Sequence, residues 1–256
     1  MNRFISQNAR WLAPVASIGA FVVLWGLVSL NVDPDFLPSP LKVWQEFVRL
    51  FNHPVGGTTI LGHVGFSLRR VLIAFGLAVL LGLPLGLLMG WNRTCEKIVA
   101  PIFEVLRPIP PIAWIPIVIM WFGIGEFPKV LLVFIGTFVP LVINTSTGIE
   151  MVDKINLDVG HVFGGNNRQI LTDIVIPTAL PSIFAGIRTS VSSGWTTVLA
   201  AEMLGAQKGL GALVTRGWQG SDMALVLVSV ITIAIIGALL SLGLQKLEKV
   251  VCPWNN

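Results

Sequence analysis

The chain has 256 residues, 54% of them hydrophobic and 12% charged, with a mean hydropathy of +0.81. A soluble domain carries roughly 25% charged residues. Half that content, with apolar runs of about 20 residues, excludes an ordinary globular domain and predicts an all-α membrane protein. The net charge of +4 comes from Lys and Arg scattered singly, which excludes a nucleic-acid-binding stripe and suits the cytoplasmic loops of a membrane protein. Cys95 and Cys252 offer neither a disulfide framework nor a paired metal motif.

Residues 11–30 (WLAPVASIGAFVVLWGLVSL) are the first expected span, preceded by Arg3 and Arg10. A cleaved signal would have a shorter apolar core and a small-residue cleavage site. NVDPDF follows instead, so the segment reads as a retained anchor with its N-terminus inside. Residues 31–66 read as an external amphipathic segment, in which Val43, Phe47, Leu50 and Phe51 share a helical face opposite Lys42, Glu46 and Arg49. Further spans are expected at 67–91, 98–121, 128–148, 178–203 and 223–245, giving six transmembrane helices with both termini cytoplasmic. The inside segments then hold Arg3, Arg10, Arg93, Lys97, Lys154, Arg168, Lys246 and Lys249, against Lys42, Arg49, Lys208 and Arg216 outside. That excess follows the positive-inside rule, although Arg69, Arg70 and Lys129 at outer span edges soften it.

In the second span Ala74, Ala78, Gly82, Gly86 and Gly90 recur every four residues, a flat ridge for close helix packing that Pro84 should bend. The third contains Arg107-Pro-Ile-Pro-Pro-Ile-Ala-Trp114, where Pro108, Pro110 and Pro111 cannot continue a regular helix. Broken backbone at membrane depth needs protein or water around it, so a pathway-lining kink is expected in preference to lipid exposure; an elbow at the cytoplasmic interface is the alternative. Arg107 and Glu104 are intramembrane charges, expected to neutralise each other at i, i+3. In the fifth span Thr189, Ser192, Ser193, Thr196 and Thr197 form a hydroxyl stripe that suits either interhelical hydrogen bonding or a wet path. Asn144 to Thr147, near the inner end of the fourth span, can join the same cavity. The candidate path residues are therefore Arg107, Pro108, Pro110, Pro111, Trp114, Asn144, Thr189, Ser193, Thr196 and Thr197.

The loop 150–177 reads as cytoplasmic. Val159, Val162 and Phe163 lie on one side of a short helix that Gly164-Gly165 ends. Ile170, Leu171 and Ile174 give a second short apolar face, and Pro177 opens the next span. Two such helices suit docking into a protein groove, with a loop helix resting on the membrane surface as the alternative. The spacing also resembles the E-A-A-x3-G-x9-I-x-L-P loop of binding-protein-dependent ABC importer permeases. Here the pattern is Asp158-Val159-Gly160, Gly164, Ile174 and Ile176-Pro177, with the E-A-A replaced and the Leu replaced by Ile176. Most of the chain is similar to the nitrate/taurine/alkanesulfonate/bicarbonate branch of these permeases, through FLPSPLKVW, SLRRVLIAFGLAVLLGLPLGLLMG, RPIPPIAWIPIVIMWFGIGE, GWTTVLAAEMLGA and GLGALV.

The resemblance implies a type I, MetI-like importer permease working as a homodimer in the bacterial inner membrane. It implies two cytoplasmic ABC ATPase subunits that bind the ATP and Mg, and an external substrate-binding protein. It assigns Asp158, Val159, Gly160, Val162, Phe163, Gly164, Ile174 and Pro177 to ATPase coupling. It favours a small anion such as a sulfonate, taurine, nitrate or bicarbonate, with an aromatic acid or vitamin precursor as the alternative. The sequence holds no G-x-x-x-x-G-K-[ST] phosphate loop, so the energy must come from a partner. His53, His63 and His161 form no metal-ligand pattern, which weighs against a metal site or a membrane-embedded enzyme. An ion-coupled transporter or channel would place carboxylates mid-span, where only Glu104 and Glu202 come near.

Overall fold

Apolar segments surrounded by hydrocarbon must satisfy their backbone groups internally, and this chain does so with helices. The structure, a computed structural model, describes the backbone of residues 2–255 and the side chains of residues 16–254. Helix α1 (Asn2–Ser29) is followed by α2 (Pro40–Asn52), which opens with Pro40 and with the Ser39 hydroxyl accepting the Lys42 N–H at 3.3 Å. Its apolar face buries Val43 and Leu50, as the periodicity anticipates. Helix α3 (Ile60–Trp91) begins seven residues before the expected span and carries Pro84 within it. Its 32 residues are about 48 Å long at 1.5 Å per residue, more than the ~30 Å apolar layer requires. The segment between α1 and α3 is correspondingly shorter than the expected 31–66.

The third expected span is not one rod. Helix α4 (Arg93–Leu106) stops at the proline cluster, a tight turn follows at Pro111–Trp114, and α5 (Ile115–Phe122) leaves at 84° to α4. The turn and α5 together cover about 20 Å, and α4 about 21 Å, so neither half crosses the ~30 Å apolar layer alone. Helix α6 (Glu126–Glu150) is the fourth span. After α7 (Lys154–Val162), α8 (Asn167–Gln169), a π-helical stretch (Ile170–Val175) and α9 (Ile176–Met203) run on as one element of 37 residues. The second short helix expected in the loop is thus the beginning of the fifth span. Pro177 has no N–H to give, and the wider register before it (Ile176 N–H to Leu171 carbonyl) carries the helix up to the proline instead of ending it. Helices α10 (Leu210–Gln219) and α11 (Met223–Val251) complete the chain.

Four of these elements (α3, α6, the α8–α9 rod and α11) are long and apolar enough to cross a membrane, and the α4–α5 pair is so only when its two bent halves are taken together. The remaining expected crossing coincides with α1, whose described apolar part is Ala16–Ser29. Helices α3, α6 and α9 form the centre. The small ridge on α3 faces α6: Gly86 lies against Thr145 and the Val142 carbonyl, and Gly90 against Ile149 and the Ser146 carbonyl. The ridge therefore serves packing within the chain. One apolar core gathers α2, α10 and the start of α11 around Leu50, Leu210, Leu213 and Leu225. Another lies at the opposite end around Ile149, Val152, Ile170, Val175 and Ile183. The molecule accordingly has an α10 end and an α7 end.

Candidate functional site

A cavity of ≈ 700 Å³ lies among the α4–α5 bend, the middle of α6 and α9. Its wall includes Arg107, Pro110, Pro111, Trp114, Asn144, Thr189 and Ser193, residues that the sequence singled out separately. The bend at the proline cluster brings residues between Leu106 and Trp114 to this wall. Aromatic and aliphatic residues of α6 that no polar signal marked complete it, with Phe134 and Phe138 stacked at 4.9 Å between ring centres. The Asn144 amide donates to the Pro140 carbonyl at 2.7 Å, which fixes its carbonyl end near the hollow.

Three candidates fall elsewhere. Pro108 is exposed and off the wall, because the chain turns there before Pro110 directs it back. Thr196 is exposed beyond the wall, and Thr197 is buried against Gly136, where α9 meets α6. The hydroxyl stripe makes no interhelical bonds at these positions: Thr189 donates to the Ala185 carbonyl, while Thr196 and Thr197 both donate to that of Ser193. Glu104 and Arg107 do not pair either. Both are exposed, where an ion pair contributes little, and among the described residues none joins them.

At the α7 end, Asp153 caps α7 through the Ile155 N–H at 3.0 Å. The helix ends in a Schellman turn: Gly165 N–H reaches the Gly160 carbonyl at 3.0 Å and Gly164 N–H reaches that of His161 at 2.9 Å. Gly164 supplies the left-handed conformation this turn requires, at φ +79°. Gly160 faces inward, and a Cβ there would stand 2.7 Å from Ile174 and 3.1 Å from Ile170. The predicted loop residues thus divide. Gly160 and Ile174 seat α7 on the rod and Pro177 lies within the rod itself, whereas Asp158, Val159, Val162 and Phe163 face outward. Val162 is 84% and Phe163 86% exposed, and Ile155 and Met151 extend the apolar stripe.

The α10 end holds a buried polar network that the sequence reading missed. Arg70 of α3, only 3% exposed, donates to Glu202 of α9 at 2.6 Å, to both carboxylate oxygens of Glu126 at 2.7 and 2.8 Å, and to the Lys208 carbonyl at 2.8 Å. Glu202, fully buried, also accepts from the Ser67 hydroxyl at 2.9 Å and the Gly211 N–H at 3.0 Å. Ser67 in turn accepts the Leu210 N–H at 3.0 Å. His63 Nε2 must donate to the Val55 carbonyl at 2.8 Å, which leaves Nδ1 to accept the Gly209 N–H at 3.0 Å in the neutral ring. One readable signal existed: His63, Ser67 and Arg70 sit at i, i+4 and i+7, a polar stripe on one face of a span. No group of three or more potential metal ligands occurs among the described residues.

A family model described as "Binding-protein-dependent transport system inner membrane component" matches residues 82–252. The chain belongs to this family. It is 35% identical to the taurine transport permease TauC of Escherichia coli (strain K12), over 98% of this chain and 95% of that protein. It is 32% identical to the nitrate import permease NrtB of Synechocystis, over 96% and 91% respectively. It is also 32% identical to the putative aliphatic sulfonates permease SsuC of Bacillus subtilis (strain 168), over 96% and 87%. In fold, it matches the inward-facing MetNI methionine ABC transporter with a TM-score of 0.66 at 18% identity, over 75% of this chain and 95% of that one. The permease is therefore an inner-membrane, non-catalytic subunit of an ATP-driven ABC importer of MetI-like fold. Such an importer hydrolyses ATP on a separate ATPase subunit and receives its solute from a binding protein.

Proposed function

We propose that this permease carries a small oxyanion through the α4–α6–α9 cavity as a homodimer, with α7 seated in a cleft of the cytoplasmic ATPase. The relatives named for taurine, aliphatic sulfonates and nitrate support a solute that bears a sulfonate or nitrate-type oxyanion group. Both termini and the α7 end face the cytoplasm in this reading, while α2 and α10 face outward. ATP and Mg stay on the ATPase subunits; this chain binds neither.

The observation that carries the reading is a mechanical one. The exposed stripe of Val159, Val162 and Phe163 is locked through Gly160 onto Ile170 and Ile174. Those residues begin the same continuous element that places Thr189 and Ser193 on the cavity wall. Ile174 to Thr189 is fifteen residues, about 22 Å of helix at 1.5 Å per residue. A displacement imposed on α7 by closure of the ATPase pair is delivered to the cavity as a rigid-body movement, with no loop between to absorb it. An exposed Phe and Val on a loop helix have no partner among the described residues, and ATPase docking gives them one.

The test is a charge in the stripe. Val162→Glu combined with Phe163→Glu should leave the spans inserted but lower co-purification of the ATPase and ATP-driven solute uptake in vesicles by at least tenfold. Wild-type uptake by that variant would remove α7 from the coupling path.

A further inference from the structure

At the α10 end, separate from the cavity, lies a second hollow of ≈ 360 Å³ between the start of α3, the start of α6 and the 205–208 loop. Its lining is strongly basic: Arg69, Arg70, Lys129 and Lys208 face it, with Glu126 as its single carboxylate and Gln207 as a neutral polar group. Arg70 is fully engaged by Glu126 and Glu202. Lys129 is only 6% exposed, yet its ammonium has one long contact, 3.5 Å to Glu126. The Lys208 ammonium rests over the Phe66 ring at 5.2 Å, and no carboxylate pairs with it or with Arg69 among the described residues. Four cations thus stand against Glu126 in the hollow and Glu202 behind it, leaving two positive charges uncompensated. A buried, under-coordinated ammonium beside two unpaired cations calls for an anion. Because Arg70 and Lys129 form the recessed floor, a small solute reaches them and a flat protein surface does not.

The position along the path fits this chemistry. Lys129 and Gly136 share a face of α6 at i, i+7, about 10 Å apart, and Gly136 is on the cavity wall. Between them Ile115, Val118, Leu132 and Ala201 pack into a closed apolar layer. We propose that this hollow is an oxyanion-binding subsite, in which Arg69, Lys129 and Lys208 hold a sulfonate, nitrate or bicarbonate group on the outer side of that layer before passage. The inference rests on the importer reading for its direction, but the binding itself does not require transport. The apolar layer is the barrier that must open for the anion to advance, and the excess positive charge raises the local anion concentration in front of it.

Equilibrium binding of radiolabelled ethanesulfonate to the nucleotide-free permease–ATPase complex in detergent tests the site directly. Saturable binding is expected, displaced by nitrate and bicarbonate and weakened by high salt. Arg69→Gln and Lys208→Gln, both changes at accessible positions, should each reduce affinity about tenfold, and the pair by more. Absence of saturable wild-type binding, or variant affinities within twofold of wild type, overturns the proposal. So does displacement of the probe by phosphatidylglycerol nanodiscs but not by nitrate, which would make the occupant a lipid headgroup. Weakened capture of the binding protein by the variants with unchanged ethanesulfonate binding would reassign the cations to a protein carboxylate, and also overturns it. ATP-driven uptake separates the two readings. If the variants bind the probe normally while wild-type complex still imports an anion, the subsite fails and the importer stands. If wild-type complex binds the probe but imports no member of the anion panel with binding protein and ATP supplied, the subsite stands without the oxyanion importer.

Discussion

Replacing Glu202 with Ala tests whether the buried network at the α10 end holds the central helices together. The substitution takes a charged acceptor from Arg70 and leaves the Gly211 N–H and Ser67 hydroxyl without their carboxylate partner. A hydrogen bond to a charged group contributes about 1.5–3 kcal/mol, and a buried donor left without an acceptor costs about 1–3 kcal/mol. Arg70 keeps Glu126 and the Lys208 carbonyl, so the loss stays within the roughly 3–5 kcal/mol typical of a broken buried pair. At about 2–4 °C per kcal/mol for a chain of this size, Tm should fall by roughly 6–20 °C. The measurement is the fraction of a fluorescently tagged permease remaining monodisperse on size exclusion after graded heating in detergent. Glu202→Gln, which keeps an acceptor oxygen for the Gly211 N–H and the Ser67 hydroxyl, should recover at least half of the loss. A fall below 2 °C for Glu202→Ala, or a Gln variant no better than the Ala one, would refute the account.

Enlarging Gly90 to Val should separate α3 from α6, since even a Cβ there would meet Ile149 at 2.6 Å and the Ser146 carbonyl at 2.7 Å. The expected destabilisation is about 1–3 kcal/mol, read in the same heating assay, whereas Ala at Gly76, which has open space, should change little. Glu46, on α2 outside the spans, has its pKa raised by burial and by Asp222, with Arg49 opposing. Its ionised form therefore disfavours the fold above that raised pKa, and protonation removes the penalty as pH falls. Glu46→Gln should raise Tm at neutral pH, with the gain vanishing near the ordinary carboxylate pKa of about 4.3; a pH-independent gain would contradict the assignment. Cysteines at Thr189 and Ser193 should react with membrane-impermeant thiol reagents in a nucleotide-dependent way, while one at buried Thr197 should be protected; equal protection of all three would assign the stripe to packing. Gly164→Val should destabilise the α7 turn by about 1–2 kcal/mol and reduce ATP-driven uptake, because its φ of +79° suits no β-branched residue.

Features carried by local periodicity were legible in the sequence. The amphipathic face of α2, the small-residue ridge of α3 and the glycine stop after α7 each arise from residues within one or two turns. The proline cluster was legible as a break, because three missing or misdirected N–H groups within four positions leave no helical solution. Its angle was not, since nothing local sets the 84° between α4 and α5. The continuity of the α8–α9 rod was hidden for a related reason: Pro177 signals a helix start, and only the π register before it lets the helix pass. Arg107, Asn144, Thr189 and Ser193 of the cavity wall were found by their polarity, while Phe134 and Phe138 carry no mark that distinguishes a cavity wall from lipid contact.

The Arg70–Glu202 network shows why charge position alone misleads in a membrane chain. Arg70 and Glu202 lie 132 residues apart, and each sits near a span edge where a charge ordinarily reaches water. Pairing them requires α3 and α9 to lie side by side, and that approach is set by glycines on each that pack closely on their shared neighbour α6. Thr137 and Asn144 of α6 sit against Gly194 and Gly186 of α9, while Thr145 sits against Gly86 of α3. The network in turn fastens the 205–211 loop through Ser67, His63 and Glu202, and that loop brings Lys208 to the basic hollow. The same central packing thus leads in two directions: toward α7 through the rod, and toward the α10 end through a buried carboxylate. Because α9 belongs to both, Ala201 of the apolar layer and Glu202 of the buried pair are neighbours on one helix, so the layer and the network are held by the same element.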